Sequence, residues 1–235
     1  MFEIDTKYLK DKPFKPTDFV GKDLTRADKK RLKEVIKSGT LKYQISGEDI
    51  PSLIDESYNY QVIMFFDLEL TNIKSATFVN NILQKSVIKA PCIFKFHDHA
   101  YYCYAFADKR LSMQEEGQIV VDNTVVTAPQ PNNAKFDERL SYKNIKNRNN
   151  KRFFYTELMI KAYLLDNIKL VSNLMSIFDI PIWYDEHKKM SFYTKLKELQ
   201  QLQKEQAKVT MAKDKVELNS KMKELITKIM EYYAN

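Results

Sequence analysis

Two carboxylates and one lysine are the residues whose types and spacing could support a reaction. Asp67 and Glu69 lie two positions apart in the apolar run Tyr60–Leu70, so on a strand they point to the same face. Lys95 lies in a second apolar run, which we expect to form a neighbouring strand. Carboxylates bind divalent cations, and a lysine can orient water for phosphodiester hydrolysis. This predicts a metal-dependent nuclease as the alternative function, while a strand emerging into solvent would explain both acids equally well.

A second cluster could bind a transition metal but has the wrong spacing. His97-Asp98-His99 lies between Cys92 and Cys103, and imidazole and thiolate are suitable zinc ligands. The spacing matches no common zinc pattern, and polar residues are expected in the hairpin turn that separates two apolar strands. We therefore expect no metal at this cluster and two reduced, buried cysteines.

Cofactor and small-molecule chemistry has little support in the composition. The chain contains four glycines in 235 residues, too few to suggest a loop that cradles phosphates, and no serine is flanked by glycines as in a nucleophile elbow. We expect no cofactor, no small-molecule substrate and, in the favoured interpretation, no catalytic residue.

A basic stretch could contact DNA or RNA. Residues 131–153 form a connector rich in lysine, arginine and asparagine that leads into Phe153-Phe154-Tyr155. Cations release counterions from a phosphate backbone, and aromatic rings stack on unpaired bases. A solvated linker whose aromatic residues begin the next helix is the competing interpretation. In the whole chain only six of the 38 basic residues are arginine, the residue preferred for base and phosphate recognition, which disfavours sequence-specific reading. The candidate nucleic-acid-binding residues are Lys143, Lys146, Arg148, Lys151 and Arg152.

Helical and strand-like periodicities predict an α+β fold with a small mixed sheet flanked by helices. A helix should begin at the Thr25 cap and end at Gly39, and strands should follow at 41–45, 60–70, 92–96, 100–106 and 118–127, with a helix at 74–87. Along the chain we predict an irregular arm (1–24), an α+β domain (25–130), the basic connector (131–153), short helices (154–184) and a helical extension (185–235).

The extension carries apolar stripes typical of a coiled coil. Its apolar residues recur at intervals of three, four or seven, but the register changes between Ala207 and Val216. Either one long helix has a discontinuity there or two helices fold back as a hairpin, and the absence of Gly and Pro favours the single helix. About forty helical residues span roughly 60 Å, so part of the stripe should pack against another helix, of a partner or of a second copy. The candidate packing residues are Phe192, Leu196, Leu199, Leu202, Val209, Val216, Met222, Leu225 and Ile229.

The order of segments resembles a bacterial family known as domain of unknown function 4391. The resemblance rests on four stretches: Asp23–Leu32, Val62–Leu70, Ala90–Phe96 and Lys215–Asn219. Members of that family are often encoded beside helicases and DNA methyltransferases in restriction-like defence regions. The resemblance thus implies a helicase or a methyltransferase as partner, and it supplies no catalytic residues.

The sequence therefore predicts a non-catalytic accessory or adaptor subunit of a nucleic-acid-processing complex. One such complex would be a restriction-like or phage-defence system. It would bind a partner or itself through the C-terminal helices. The N-terminal residues lack a signal-peptide pattern and no apolar run approaches membrane-spanning length, so we expect a cytoplasmic protein without membrane contact.

Overall fold

The computed structural model describes residues 1–21, 23–115, 117–171 and 174–234, which divide into two compact units. The first unit is Met1–Tyr163 and the second is Leu164–Asn235. Ser172 and Asn173, within the predicted short-helix region 154–184, lie outside the described residues.

The first unit is built on a mixed sheet with helices, which confirms the predicted α+β class. Over the described residues this sheet has seven strands in the order β1-β2-β5-β6-β7-β8, with β9 also pairing with β7, while β3 and β4 form a separate pair. The strands and helices of this unit are β1 (Leu9–Phe14), α1 (Arg26–Val35), β2 (Ile36–Ile45), β3 (Leu53–Ile54), β4 (Asn59–Tyr60), β5 (Ile63–Leu70), α2 (Ala76–Ile82), β6 (Cys92–His97), β7 (Tyr101–Leu111), β8 (Ile119–Val126), β9 (Gln130–Pro131) and α3 (Lys151–Asp166), whose last residues belong to the second unit.

One pair of neighbouring strands is parallel, and it places the polar residues of interest. β5 and β6 run in the same direction, joined through α2, whereas the other pairs of the sheet are antiparallel. A parallel pair needs such a crossover because its second strand must start at the same end of the sheet. Alternate side chains of both strands form the apolar core under α1 and α2, including Phe66, Leu68, Phe94 and Phe96.

The α1 helix begins as predicted and ends earlier. Thr25 Oγ1 accepts a hydrogen bond from Asp28 N at 3.1 Å, the capping arrangement expected from the sequence. The helix gives way to β2 at Ile36, so Gly39 does not end it. Gly39 instead lies within β2, where an added Cβ would come within 2.8 Å of the Phe19 ring, so close packing explains this glycine.

The segment predicted as an irregular arm includes a strand. β1 pairs antiparallel with β2, with a register irregularity between Leu9 and Lys12. Asp11 within it has a φ of 49°. Sequence patterns miss this strand because its side chains are largely exposed and include a proline, as is common at sheet edges.

The second unit ends in two long helices, α4 (Glu186–Gln206) and α5 (Ala212–Ala234). They pack antiparallel, because Tyr232 contacts Ser191 near the start of α4 and Asn219 contacts Gln206 at its end. The chain therefore folds back at 207–211, inside the predicted register change, and the preference for one continuous helix was wrong. Among the described residues, no helix has the length and apolar content needed to cross a membrane.

Candidate functional site

The parallel strands bring Asp67 and Lys95 side by side, as the nuclease hypothesis requires. In the β5–β6 ladder, Asp67 is opposite Lys95 and Glu69 is opposite His97. All four residues lie towards the carboxyl ends of the two strands, the end at which open α/β sheets bind ligands. The sequence therefore identified two neighbouring charged residues correctly but missed a third group, His97.

Asp67 is paired with His97. The distance from His97 Nε2 to Asp67 Oδ1 is 3.1 Å, and both side chains are half-buried. Burial raises the pKa of Asp67, but the His97 imidazole, with Lys95 and Lys42 nearby, outweighs burial and leaves that pKa below its ordinary value. Lys95 Nζ lies 5.0 Å from the centre of the Tyr102 ring. The cluster Asp67, Lys95 and His97 thus combines a carboxylate, an imidazole and a cation.

Glu69 instead interacts with two residues of β2, Lys37 and Ser38. Its Oε1 lies 3.0 Å from Lys37 Nζ, and Ser38 Oγ donates to Oε2 at 3.4 Å. The hydrogen bond from Lys37 lowers the pKa of Glu69. Over the described part of the chain, no three or more His, Cys, Asp or Glu side chains form a group that could hold a metal ion. Asp67 and Glu69 are therefore engaged by different partners, His97 and Lys37.

The His97-Asp98-His99 turn has a structural explanation. Asp98 Oδ1 accepts from the backbone N–H groups of Ala100 and Tyr101 at 2.9 Å each, and its Oδ2 accepts from Ile73 N at 3.0 Å. Asp98 therefore fixes the turn between β6 and β7. His97 faces Asp67 because it lies on the same face of β6 as Lys95, the residue opposite Asp67. Alternation along β6 could have revealed this pairing, since Lys95 and His97 are two residues apart.

Two buried cations fix the end of the basic connector to other parts of the first unit. Lys151 Nζ donates to Gly47 O at 3.0 Å and to Ile50 O at 2.7 Å, and burial lowers the pKa of Lys151. Arg152 donates to Tyr58 Oη at 3.2 Å, with its guanidinium 3.9 Å from the centre of that ring. Both side chains are buried, so they stabilise the fold and are not placed to receive a phosphate.

The other three candidates of the connector lie nearer the surface. Lys143 and Lys146 are exposed, and Lys143 Nζ lies 3.2 Å from Glu3 Oε2. Arg148 stacks over Tyr142 at 4.1 Å and donates to the carbonyl oxygen of that residue at 2.7 Å. This part of the predicted nucleic-acid surface keeps two exposed ammonium groups.

The nine predicted helix-packing residues separate into a buried and an exposed group. Five are buried, and we call the part of α4 and α5 that carries them the hairpin base: Phe192, Leu196, Leu199, Leu225 and Ile229. The Phe192 and Tyr232 rings are 5.6 Å apart, and Lys195 Nζ donates to Tyr232 Oη at 3.0 Å. Leu202 and Met222 are half-buried beyond the base.

The remaining predicted residues lie in the hairpin tip, which we define as residues 203–218. Val216 is 68% exposed and Met211, which was not among the predicted residues, is 65% exposed. Val209 and Leu218 are half-buried and line a shallow groove of about 410 Å³ together with charged side chains, among them Lys208 and Glu217. The tip thus presents apolar side chains that the described part of the second unit does not cover.

Comparison with known protein families gives a match. The family model described as Domain of unknown function (DUF4391) matches residues 6–229 of the chain, close to its whole length. No curated protein and no solved structure matches.

Proposed function

This chain belongs to the family described as Domain of unknown function (DUF4391), and we propose that it is a non-catalytic adaptor of a nucleic-acid-processing complex. The observation that carries the proposal is the exposed apolar surface of the hairpin tip. Met211 and Val216 are each about two thirds exposed, although both belong to an amphipathic helical hairpin. In this role the hairpin base holds the two helices together and the tip binds another protein.

The partner that fits the tip is a helix with an apolar stripe from a different protein. Met211 and Val216 offer exposed apolar side chains, and Val209 and Leu218 line the groove beside the turn. Charges of both signs surround them, including Lys208, Asp214 and Glu217, so the flanking positions of a partner helix can form ion pairs with either sign. A helicase or a DNA methyltransferase is the partner class that we propose, and the exposed Lys143 and Lys146 would add contacts to DNA or RNA.

Affinity purification of the full chain from its native cell tests the adaptor role. The test variant is Met211→Glu/Val216→Glu, which places two charges in the apolar tip. The matched control is Thr210→Glu/Ser220→Glu, which adds the same charge at two exposed polar positions of the same hairpin. We expect the wild type and the control to recover the same partner and the test variant to lose it.

Binding of the purified partner then decides the proposal. We expect the test variant to bind at least about tenfold more weakly, because two charged side chains replace apolar contacts, and the control to bind within about twofold of the wild type. Equal affinities for the test variant and the control would contradict a role for the tip.

Contact with nucleic acid is tested separately on the connector. Lys143→Gln/Lys146→Gln should weaken binding of a labelled oligonucleotide to the assembled complex and reduce the salt dependence of the affinity. Lys30→Gln/Lys33→Gln removes the same charge from exposed positions of α1 and serves as the control. Equal salt slopes for the two variants would exclude the connector from the interface.

Phosphodiester hydrolysis is the second candidate function. It is favoured by one observation, the half-buried cluster of Asp67, Lys95 and His97, and disfavoured by the engagement of Glu69 with Lys37. If the cluster performs the reaction, Asp67→Asn should abolish the nuclease activity of the assembled complex while partner binding persists. If the nuclease activity is unchanged by Asp67→Asn, hydrolysis at this cluster is excluded and the adaptor role remains as the proposed function.

A further inference from the structure

Three hollows lie along the junction between α4 and α5 in the second unit. The first is the shallow groove of the tip described above. The second, of about 430 Å³, has Leu202 and Leu225 among its lining residues. The third, of about 450 Å³, includes Tyr232 and shares Lys195 and Lys228 with the second. The second and third hollows are therefore continuous.

The hollows lie on one face of each helix. Their lining residues recur at intervals of three or four, which is the spacing of neighbours on one side of a helix. From α4 into the turn, this series is Ser191, Lys195, Glu198, Leu202, Glu205 and Val209. In α5 it is Asp214, Leu218, Lys221, Leu225, Lys228 and Tyr232. We call this face, which runs from the tip along the base, the hairpin groove.

Acidic side chains of the two helices are concentrated in the hairpin groove. α4 contains three acidic residues and α5 contains four. Six of these line the groove: Glu198, Glu205, Asp214, Glu217, Glu224 and Glu231. The remaining one, Glu186, pairs with the buried Lys189 at 2.6 Å. The exposed side chains of these helices outside the groove include Lys197, Lys204 and Lys223 but, among the described residues, no acid.

The groove is acidic although the chain as a whole is basic. Asp185 also lines it, so seven carboxylates and five lysines give the groove a formal net charge of −2, whereas the whole chain carries +7. Ion pairs between Glu217 and Lys221 and between Glu224 and Lys228 already satisfy part of this charge. The excess of carboxylates attracts a cationic protein surface and repels the phosphate backbone of DNA or RNA.

The shape of the groove fits a helix. Three leucines, Leu202, Leu218 and Leu225, line it, and the surface between two antiparallel helices accepts the side chains of a third. A second copy of this chain lacks a suitable helix, because the exposed large apolar side chains of the described residues include only one on a helix, Val216. A helix of a different protein is therefore the occupant that fits.

We propose that one basic amphipathic helix of the partner lies along the whole hairpin groove. Its apolar stripe faces the three leucines, and lysines or arginines beside that stripe face the carboxylates of the groove. The proposal rests on the adaptor role proposed above and extends it in two respects: the contact continues from the tip along the base, and the partner helix is cationic. α4 is 21 residues and so about 30 Å long, and a partner helix of about 20 residues spans that length.

Two exposed threonines provide a matched test in the full chain. Thr194 lines the second hollow, outside the tip, and Thr227 lies on α5 outside the groove. Each hydroxyl donates to the carbonyl oxygen four residues earlier, at 3.0 Å for Thr194 and 3.1 Å for Thr227. We expect Thr194→Lys to bind the purified partner at least about fivefold more weakly than the wild type, and Thr227→Lys to bind within about twofold of it.

A change of sign at the same position separates charge from size. Thr194→Glu adds a side chain of similar length with a negative charge, so it should bind the partner at least about fivefold more tightly than Thr194→Lys at low salt. The difference between the two variants should shrink at high salt, because ions screen exposed charges. Circular dichroism confirms that all three variants fold. Equal affinities of Thr194→Lys and Thr194→Glu at low salt would overturn the cationic helix.

Cross-linking of the complex with a carbodiimide, which joins carboxylates directly to amines, tests whether one helix spans the groove. We expect Asp214 at the tip and Glu198 beside the base to link to lysines of the same helical segment of the partner. Links from Glu198 to a second copy of this chain, detected by mixing isotopically labelled and unlabelled chains, would overturn the proposal.

The results distinguish this inference from the adaptor role on which it rests. If Met211→Glu/Val216→Glu loses the partner while Thr194→Lys binds as tightly as Thr227→Lys, the tip alone is the binding surface and the proposed groove is wrong. If Met211→Glu/Val216→Glu keeps the affinity of its own control, the adaptor role of the tip fails first. Loss of binding in both Met211→Glu/Val216→Glu and Thr194→Lys, with both controls intact, is the result that we expect.

Discussion

The base and the tip of the C-terminal hairpin share an amphipathic pattern and differ in what covers their apolar residues. In the base, Leu196 and Ile229 are completely buried. In the tip, Met211 and Val216 remain about two thirds exposed. The periodicity of apolar residues therefore indicates the face of a helix that packs, and the structure is needed to distinguish internal packing from a surface left for another molecule.

The largest effect is expected in the base. Leu196→Ala should lower the free energy of unfolding of the second unit by about 3 kcal/mol, because it removes buried methyl groups and leaves a cavity. Trp183, the only tryptophan, is fully buried in the same unit, so its fluorescence during urea unfolding reports the change. A loss below about 1 kcal/mol would mean that the base is not closely packed.

A smaller effect is expected at the polar boundary of the base. Tyr232→Phe keeps the ring against Phe192 but removes the hydroxyl that accepts from Lys195 and donates to Ser191. We expect the second unit to lose about 1 kcal/mol, the usual net contribution of a hydrogen bond. The same urea titration measures it, and a loss as large as that of Leu196→Ala would show that the hydroxyl supports the packing of the base.

In the tip, removal of an apolar side chain should hardly affect folding. Val216→Ala is expected to change the free energy of unfolding by less than about 0.5 kcal/mol, since the side chain is 68% exposed. The matched comparison is Leu199→Ala in the base, where we expect a loss of about 3 kcal/mol. Similar losses for both variants would erase the distinction between base and tip.

The smallest effect is expected for an exposed ion pair of α5. Lys221 Nζ lies 2.7 Å from Glu217 Oε1, one helical turn away, and both side chains are more than half exposed. Glu217→Gln should leave the urea midpoint unchanged, because solvent screens such pairs. A clear shift of the midpoint would indicate that this part of α5 is more enclosed than its exposure suggests.

The sequence was sufficient to predict features that depend on local chemistry. Thr25 and Asp28 identify the start of α1 through side-chain oxygens that satisfy free backbone N–H groups. Asp67 and Lys95 were assigned to neighbouring strands from two apolar runs alone. The cap spans three residues, and each apolar run identifies its own strand.

Features set by distant contacts could not be predicted. A glycine such as Gly39 often ends a helix. Here Gly39 lies inside β2, where the Phe19 ring packs so closely that a larger side chain would clash. Lys151 lies in a basic stretch, yet backbone carbonyl oxygens about a hundred residues away bind its ammonium group. The fold-back at 207–211 contains no Gly or Pro, so no local signal marks it. The packing of α5 on α4 determines it instead.

Amide hydrogen exchange of the full chain, alone and with its purified partner, tests the central claim most directly. The adaptor account predicts slow exchange of the hairpin base in both states, and exchange in residues 203–218 that is fast in the free chain and slowed in the complex. Unchanged exchange in 203–218 in a complex that remains bound would contradict the claim that the hairpin tip is the binding surface.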